Sequence, residues 1–200
     1  PYVEETLLDF GGKFQVDLTD NIQRQIYFQG HYELEITDLI KRTLKPGDTF
    51  VDIGANTGYY TVLASLLVGA RGAVHSFEPI PYIFSEMQSN VSLNSLSNVF
   101  LNQVALCEDE IEVDIFLPVE GNIGSGSLVK QNHLPGTSIR VSATSLDRYV
   151  SQAGIERIRL IKMDIEGGEI AALKGMGEVL SSSSAPDVIC EAVPELLAAA

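Results

Sequence analysis

The sequence is poor in the residue types that mark several classes of protein. It has no tryptophan, two cysteines, and 13 lysines and arginines against 27 aspartates and glutamates among 200 residues. Two cysteines without metal-type spacing exclude a disulfide scaffold or a zinc motif, and they favour a reducing, cytoplasmic compartment. Cys190 follows two apolar residues, which predicts a buried thiol.

The shortage of positive charge and of long apolar runs argues against two kinds of partner. A net charge of −14 would repel the phosphates of a nucleic acid or an anionic membrane before contact. No uninterrupted apolar run reaches the ~18 residues that cross a bilayer. We therefore expect neither nucleic acid nor membrane as a partner, and the composition leaves the oligomeric state open.

The hydrophobic content, 45% of residues, is enough to bury one sizeable core. From residue 48 onward, short apolar runs alternate with helix-length amphipathic segments. The predicted strands are residues 49–53, 73–77, 99–101, 159–163 and 187–190, and the predicted helices are residues 57–68, 80–94 and 169–180. This alternation predicts an α/β fold with a mostly parallel sheet and helices on both faces.

Two regions depart from that alternation. Residues 111–117 and 139–144 read as strands on either side of a glycine-serine loop, residues 121–127. Residues 14–18 predict a strand and residues 33–44 an amphipathic helix that Pro46 and Gly47 end. We therefore divide the chain into an N-terminal strand and helix extension, residues 1–47, and a main domain, residues 48–200.

The most informative segment joins the first predicted strand to its helix. Asp52 ends the strand, and Gly54 and Gly58 form a turn at the carboxyl edge of the sheet, where parallel sheets bind ligands. An ordinary tight turn is the alternative. A dinucleotide site needs a glycine where this chain has Asn56, and Asp52 disfavours a pyrophosphate. S-adenosylmethionine carries an ammonium and a sulfonium and no phosphate, so it suits this turn.

Two further groups of acids lie at predicted strand ends. Glu78 ends the second strand, where a carboxylate accepts hydrogen bonds from the two ribose hydroxyls of an adenosine ligand. The alternative is an exposed acid. Asp164, Glu166 and Glu169 crowd the end of a later strand. Asp164 is the candidate to face the sulfonium as a base or electrostatic stabiliser, whereas Glu166 and Glu169 have helix capping or lysine contacts as alternatives. These acids also leave a magnesium site open, although we assign no metal ligands.

Several motifs occur in the order found in one known family. They are GHYE at residues 30–33, KPGD at 45–48, VDIGANTGYYT at 51–61, FEP at 77–79, VAL at 104–106, GSGSL at 124–128, SLD at 145–147 and IKMDIEGG at 161–168. With them the chain resembles the FkbM family of S-adenosylmethionine-dependent methyltransferases. The resemblance implies a Rossmann-like class I methyltransferase sheet and O-methylation of a small-molecule hydroxyl, on a sugar, polyketide or related metabolite.

The resemblance also assigns roles to individual residues. It implies that the methionine part of the cofactor is lined by residues of the first turn, namely Asp52, Gly54, Ala55, Asn56 and Gly58. It also implies that the ribose is held by Glu78 and Pro79 and that the adenine is contacted by Val104 and Ala105. Asp164 would then lie near the methyl group. The family's sheet continues after its fifth strand with a helix and an antiparallel hairpin. We therefore expect this chain to lack the last two strands, unless the N-terminal strands supply that edge.

Methyl transfer to oxygen also needs a base for the hydroxyl proton. The candidates are Asp164, Glu166, His31 and His133, and loop 121–127 is either a cover for the acceptor or a plain connection. Two other functions compete: an NAD(P)-dependent oxidoreductase, and a non-catalytic domain that binds a nucleoside or a partner. Asn56 and the absence of a Tyr-x-x-x-Lys pair in the sequence count against the first, and the strand-end acids count against the second.

Overall fold

The computed structural model describes residues 2–117, 138–165 and 167–191. The strands are β1 (Val3–Leu7), β2 (Lys13–Asp17), β3 (Thr49–Ile53), β4 (Ala73–Phe77), β5 (Val99–Asn102), β6 (Ala105–Leu106), β7 (Ile111–Phe116), β8 (Ser138–Thr144), β9 (Leu160–Met163) and β10 (Asp187–Cys190). The helices are α1 (Asn21–Gln29), α2 (Leu34–Thr43), α3 (Tyr59–Val68), α4 (Pro81–Leu93), α5 (Leu146–Ala153), α6 (Glu169–Lys174) and α7 (Gly177–Ser181). A single 3₁₀ turn, Gly69–Arg71, follows α3.

Five of these strands form a parallel sheet in the order β10-β9-β3-β4-β5. The chain runs outward from β3 to β5 and then returns to the other side of β3 at β9. The boundary between β3 and β9 is therefore the point where the strand order reverses, at which open α/β sheets bind ligands. The predicted α/β architecture with a mostly parallel sheet is confirmed.

Successive residues of the central strands face two different cores. On one face, Phe50 of β3 packs with residues of α1, α2 and α3. On the other face, Val51 packs with residues of α5 and α6. This period-two division explains why the central strands read as continuous apolar runs, since both of their faces are covered.

The predicted strands 111–117 and 139–144 pair with each other. β7 and β8 are antiparallel, and β6 joins β8 in parallel to complete a three-stranded sheet. The glycine-serine loop 121–127 that connects them lies outside the described residues.

The N-terminal strands do not extend the main sheet, which corrects one of the two expectations above. Within the described residues, β1 and β2 pair antiparallel as a separate two-stranded sheet. Side-chain amides of α4 bind the backbone of β2: Gln15 donates to Asn90 at 2.7 Å, and Lys13 and Asn94 exchange two bonds of 2.8 and 2.7 Å. These amides stand in for a neighbouring strand, so the hairpin is held on a helix rather than on a sheet edge.

The described part of the N-terminal extension shares a core with the main domain. Leu8, Phe14, Ile26 and Ile40 are at most 2% exposed and belong to the same cluster as Phe50 of β3. The extension thus packs against the face of the sheet that α3 covers. It also forms one side of the space at the carboxyl ends of the parallel strands.

Helix 169–180 is not continuous as predicted, and Cys190 is not buried. Gly175 separates α6 from α7 because it lies against the backbone of Cys107, where a Cβ would stand 1.9 Å from the carbonyl oxygen. Cys190 is exposed because β10 is an outer strand of the described sheet. Sequence analysis also missed β1, α1, β6 and α5, although Asp20 and Ser145 are both N-cap residues whose side chains accept a backbone N–H.

None of the helices in the described ranges is both long enough and apolar enough to cross a membrane.

The shared core predicts that the N-terminal hairpin contributes to global stability. Phe14→Ala removes a ring that is fully buried, so the free energy of unfolding should fall by about 3–5 kcal/mol. Phe28→Ala removes a ring that is 75% exposed and should change it by no more than about 0.5 kcal/mol. Urea unfolding followed by circular dichroism measures both. Equal losses in the two variants would contradict a shared core.

Candidate functional site

The turn after β3 brings three strand ends together. The backbone N–H groups of Gly54 and Ala55 both donate to the carbonyl of Phe77, each at 3.0 Å. Gly54 has a φ of 72°, and a Cβ there would lie 2.0 Å from the carbonyl oxygen of Asp164. Only glycine permits both the left-handed backbone and this approach, so the ends of β3, β4 and β9 meet at one point.

A cavity of about 300 Å³ opens at these strand ends. Its wall includes eight of the residues that sequence analysis assigned to the cofactor: Gly54, Ala55, Asn56, Glu78, Pro79, Val104, Ala105 and Asp164. The volume lies at the lower end of the range for small-molecule sites. The structure therefore gathers residues from the turns after β3, β4, β5 and β9 around a single space.

Glu78 presents a buried carboxylate to this cavity. It is 5% exposed, and its two oxygens accept the backbone N–H groups of Asn56 at 3.0 Å and Ile80 at 2.9 Å. Burial is the main reason that the pKa of Glu78 rises to about 7, and the two backbone bonds oppose that rise. A carboxylate has about four acceptor positions, so two remain for a ligand.

The wall beyond Glu78 is apolar. Ile80, Val104, Ala105, Leu106 and Ile115 line it, and they come from the start of α4 and from the strands of the three-stranded sheet. A flat aromatic ring such as adenine suits a wall of this kind, since apolar side chains supply most of the contact area in nucleoside sites.

The side of the cavity formed by β9 holds a buried ammonium to which sequence analysis gave no role. Lys162 of β9 is 5% exposed; its Nζ lies 3.0 Å from Asp164 Oδ2 and 4.8 Å from the ring centroid of Tyr60. Burial opposes its charge, but the carboxylates of Asp164 and Asp52 outweigh burial and raise the pKa of Lys162. The sequence signal that could have identified Lys162 is a lysine within an otherwise apolar strand.

Two predicted cofactor residues are not on the cavity wall. Asp52 is completely buried; it accepts a 2.7 Å hydrogen bond from the Thr61 hydroxyl, and burial raises its pKa. It lies directly across from Lys162 in the register of β3 and β9. Gly58 precedes α3 with a φ of 92°, and a Cβ there would come 3.0 Å from Met87. Both residues therefore support the turn from the side that faces away from the cavity.

The other predicted catalytic residues fall in different places. His31 is not part of the cavity wall, and its Nδ1 lies 2.8 Å from Asp9 Oδ2. Glu166 and His133 lie outside the described residues.

Glu169 is buried, with one oxygen accepting the Gly167 N–H at 3.0 Å and the other without a hydrogen-bond partner among the residues described. In the same ranges, no group of three His, Cys, Asp or Glu residues is arranged to hold a metal ion.

The N-terminal extension supplies part of the wall, through residues to which sequence analysis gave no role. Tyr32 and Glu33 line the cavity beside Tyr60, whose hydroxyl donates to Glu33 Oε2 at 2.6 Å. The ring centroids of Tyr32 and Tyr60 are 6.4 Å apart, and that of Tyr59 lies 5.1 Å from Tyr60. Through these aromatic contacts, the segment before α2 packs against the start of α3.

Comparison with known proteins agrees with this geometry. The chain is 29% identical over 153 residues to the 2-O-methyltransferase NoeI of Sinorhizobium fredii, which covers 70% of this chain and 61% of the relative. It is 24% identical over 174 residues to the hexuronic acid methyltransferase AglP of Haloferax volcanii, which covers 86% of this chain and 67% of the relative. The chain thus spans about 61–67% of the length of these curated relatives.

A solved structure shares the fold. The crystal structure of methyltransferase FkbM from Methylobacillus flagellatus superimposes with a TM-score of 0.51 at 17% identity, over 86% of this chain and 44% of that one. At the level of sequence families, residues 52–195 match the Methyltransferase FkbM domain. Because that match covers more than half of the sequence, the chain belongs to the FkbM methyltransferase domain family.

Proposed function

We propose that the protein transfers a methyl group from S-adenosylmethionine to a hydroxyl oxygen of a small molecule. The observation that carries the proposal is the placement of Glu78, whose buried carboxylate faces the cavity beside the backbone of residues 54–57. A carboxylate there accepts hydrogen bonds from the two ribose hydroxyls, while the apolar wall around Ala105 receives the adenine. Membership of the FkbM methyltransferase domain family supports the same cofactor.

The polar end of the cavity fits the methionine part of that cofactor. Asp164 and the backbone of the 54–57 turn line this end, and Lys162 lies beside them. When bound, S-adenosylmethionine supplies a methyl group activated by the positive charge on its sulfur. The carboxylates of Asp164, Glu33 and the buried Asp52 outnumber the Lys162 ammonium at this end, which favours a cation and opposes a pyrophosphate.

The geometry of the turn favours this cofactor over a dinucleotide. Asn56 stands where a dinucleotide motif has its middle glycine, and its side-chain oxygen accepts the N–H of Thr57 at 2.7 Å. One of the backbone donors that would meet a phosphate is therefore already bonded within the turn. The Asn56 N–H itself donates to Glu78.

The proposed acceptor is a hydroxyl on a sugar, polyketide or related metabolite. The two relatives support this class, since one is a 2-O-methyltransferase and the other a hexuronic acid methyltransferase. The residues that bind the acceptor would lie at the polar end, where the segment around Tyr32 and Glu33 closes the cavity.

Isothermal titration with S-adenosylmethionine and with NAD tests the cofactor assignment. We expect binding of S-adenosylmethionine alone. Glu78→Ala should weaken it by about 1.5–3 kcal/mol, or about 10- to 150-fold in Kd, because hydrogen bonds to a charged group are lost. Glu108→Ala changes an exposed acid outside the cavity and should leave Kd unchanged. Binding of NAD alone would contradict the proposal, and binding of neither would favour a non-catalytic module.

The raised pKa of Glu78 predicts a pH-dependent affinity. Below a pKa of about 7 the carboxyl group is protonated and loses acceptor capacity for the ribose; above it both oxygens accept. Asp52 raises this pKa further and Lys162 lowers it, each by less than burial does. If only the ionised form binds, Kd for S-adenosylhomocysteine should fall about tenfold between pH 6 and pH 8. Calorimetry at several pH values measures this.

Glu78→Gln serves as the control for that titration because it keeps the shape of the side chain and does not ionise. Its Kd should be weaker than that of the wild type at pH 8 and nearly constant across the range. A pH dependence that persists in Glu78→Gln would assign the effect to another group.

A further inference from the structure

Glu33 and Glu191 are carboxylates on the cavity wall that have no part in holding the cofactor as proposed, and Glu33 is the one that the N-terminal extension supplies. Glu33 lies at the end of the cavity formed by the N-terminal extension, next to Tyr32, Tyr60 and Glu191 and on the same wall as Asp164. Glu78 and the apolar wall lie among the turns after β4 and β5, which would receive the nucleoside. Glu33 is therefore placed on the side left for the acceptor.

Glu33 does not cap α2 with its side chain, although its position at the start of the helix suggests that role. It is the N-cap residue of α2, where an acid ordinarily accepts an N–H of the first helical turn, yet its side chain makes no such bond. Its φ is 39°, one of three positive φ values at non-glycine positions in the described ranges. Strained backbone of this kind concentrates at functional sites, and Asn56, a second of the three, lines the same cavity.

The carboxylate of Glu33 is instead held by a phenol. Tyr60 donates to Oε2 at 2.6 Å, and Tyr32 lies beside Glu33 on the cavity wall. Burial is the largest cause that raises the pKa of both tyrosines, so both hydroxyls stay protonated and act as donors. Of these three groups, Glu33 is the one able to receive a proton.

Of the other bases considered for this step, Asp164 and His31 have partners elsewhere, and Glu166 and His133 lie outside the described residues. The carboxylate of Asp164 is paired with the buried Lys162 ammonium at 3.0 Å. His31 is paired with Asp9 and lies off the cavity wall. Glu78 accepts two backbone N–H groups at the nucleoside end.

We propose that Glu33 is the general base that takes the proton of the acceptor hydroxyl. This inference rests on the proposed methyl transfer. In the step, the acceptor O–H bond breaks, its proton moves to Glu33, and the oxygen forms the bond to the methyl carbon. The carbon–sulfur bond breaks with its electron pair left on sulfur, which becomes a neutral thioether. The hydrogen bond from Tyr60 holds the carboxylate in place.

The test uses Glu33→Gln, which keeps the size of the side chain and removes its basicity. The substrates are S-adenosylmethionine with a radiolabelled methyl group and a panel of methyl glycosides of common hexoses and deoxyhexoses. We expect kcat to fall at least about 100-fold on any glycoside that the wild type methylates, as general-base catalysis contributes about 10²–10⁴-fold. Glu35→Gln, an exposed acid in the first turn of α2, should keep wild-type kcat.

Two binding measurements separate loss of the base from loss of structure. By calorimetry, Glu33→Gln should bind S-adenosylhomocysteine, and the unmethylated form of the glycoside that the wild type turns over, within about threefold of the wild-type Kd. The reason is that the amide oxygen of Gln still accepts the hydrogen bond from Tyr60. Tyr60→Phe removes the hydroxyl that holds Glu33 and keeps the ring over Lys162. It should lower kcat less than Glu33→Gln does, with cofactor affinity unchanged.

The possible failures are distinguishable. If the wild type transfers methyl groups and Glu33→Gln keeps more than a tenth of wild-type kcat, Glu33 is not the base and the proposed function stands. If Glu33→Gln loses cofactor binding together with activity, the role of Glu33 is structural and the inference is overturned. If the wild type binds the cofactor but methylates no glycoside of the panel, a sugar hydroxyl is not the acceptor, and Glu33 as the base of that transfer is overturned.

Discussion

The arrangement of the site depends on keeping one ammonium charged inside the protein. Lys162 is 5% exposed in the middle of the parallel sheet, where burial alone would favour loss of its proton. Asp164 at 3.0 Å, and Asp52 across the strand pair, supply the negative charge that holds the proton on it. Removing one partner of such a group leaves an uncompensated buried charge, which is strongly destabilising. The ends of β3 and β9 are therefore fixed relative to each other by charge as well as by backbone pairing.

The same ammonium links the sheet to the N-terminal extension. The ring of Tyr60 covers Lys162 at 4.8 Å, and the hydroxyl of Tyr60 reaches Glu33 in the segment before α2. Tyr59, the neighbouring residue, packs against Phe10 and Phe14 of the hairpin region, with ring centroids 5.5 and 6.2 Å apart. The cavity is thus built from two parts of the chain, the strand ends of the sheet and the N-terminal extension that precedes them.

Negative charge is distributed unevenly around this cavity. Asp52, fully buried, and Glu78, nearly so, both have raised pKa values because burial penalises their charged forms. Such carboxylates gain most from a ligand that brings positive charge or hydrogen-bond donors, since it offsets the desolvation that raises their pKa. Most of the chain's net charge of −14 lies elsewhere on the surface. It therefore bears on solubility more than on ligand choice.

Local pattern was enough to predict the sheet, the β3 turn and the position of Glu78. Apolar runs, helix periodicity and glycine spacing act over 5 to 15 residues, and the carboxyl ends of parallel strands must meet at one edge. Pattern could not show that Asp52 lies behind the wall, that Gly175 breaks a helix against Cys107, or that the hairpin binds to α4 instead of the sheet edge. Those outcomes depend on which distant segments pack together.

The sequence by itself thus determined the fold class, the edge of the sheet at which the cavity opens, and eight of the residues that line the cavity there. Only the tertiary structure decided that Lys162 is the charge at the centre of the site and that Glu33, 27 residues before Tyr60, completes its wall. The physical reason is that a side chain's solvent exposure and partners are set by cross-chain packing. Neither property is encoded in the residue types on either side of it.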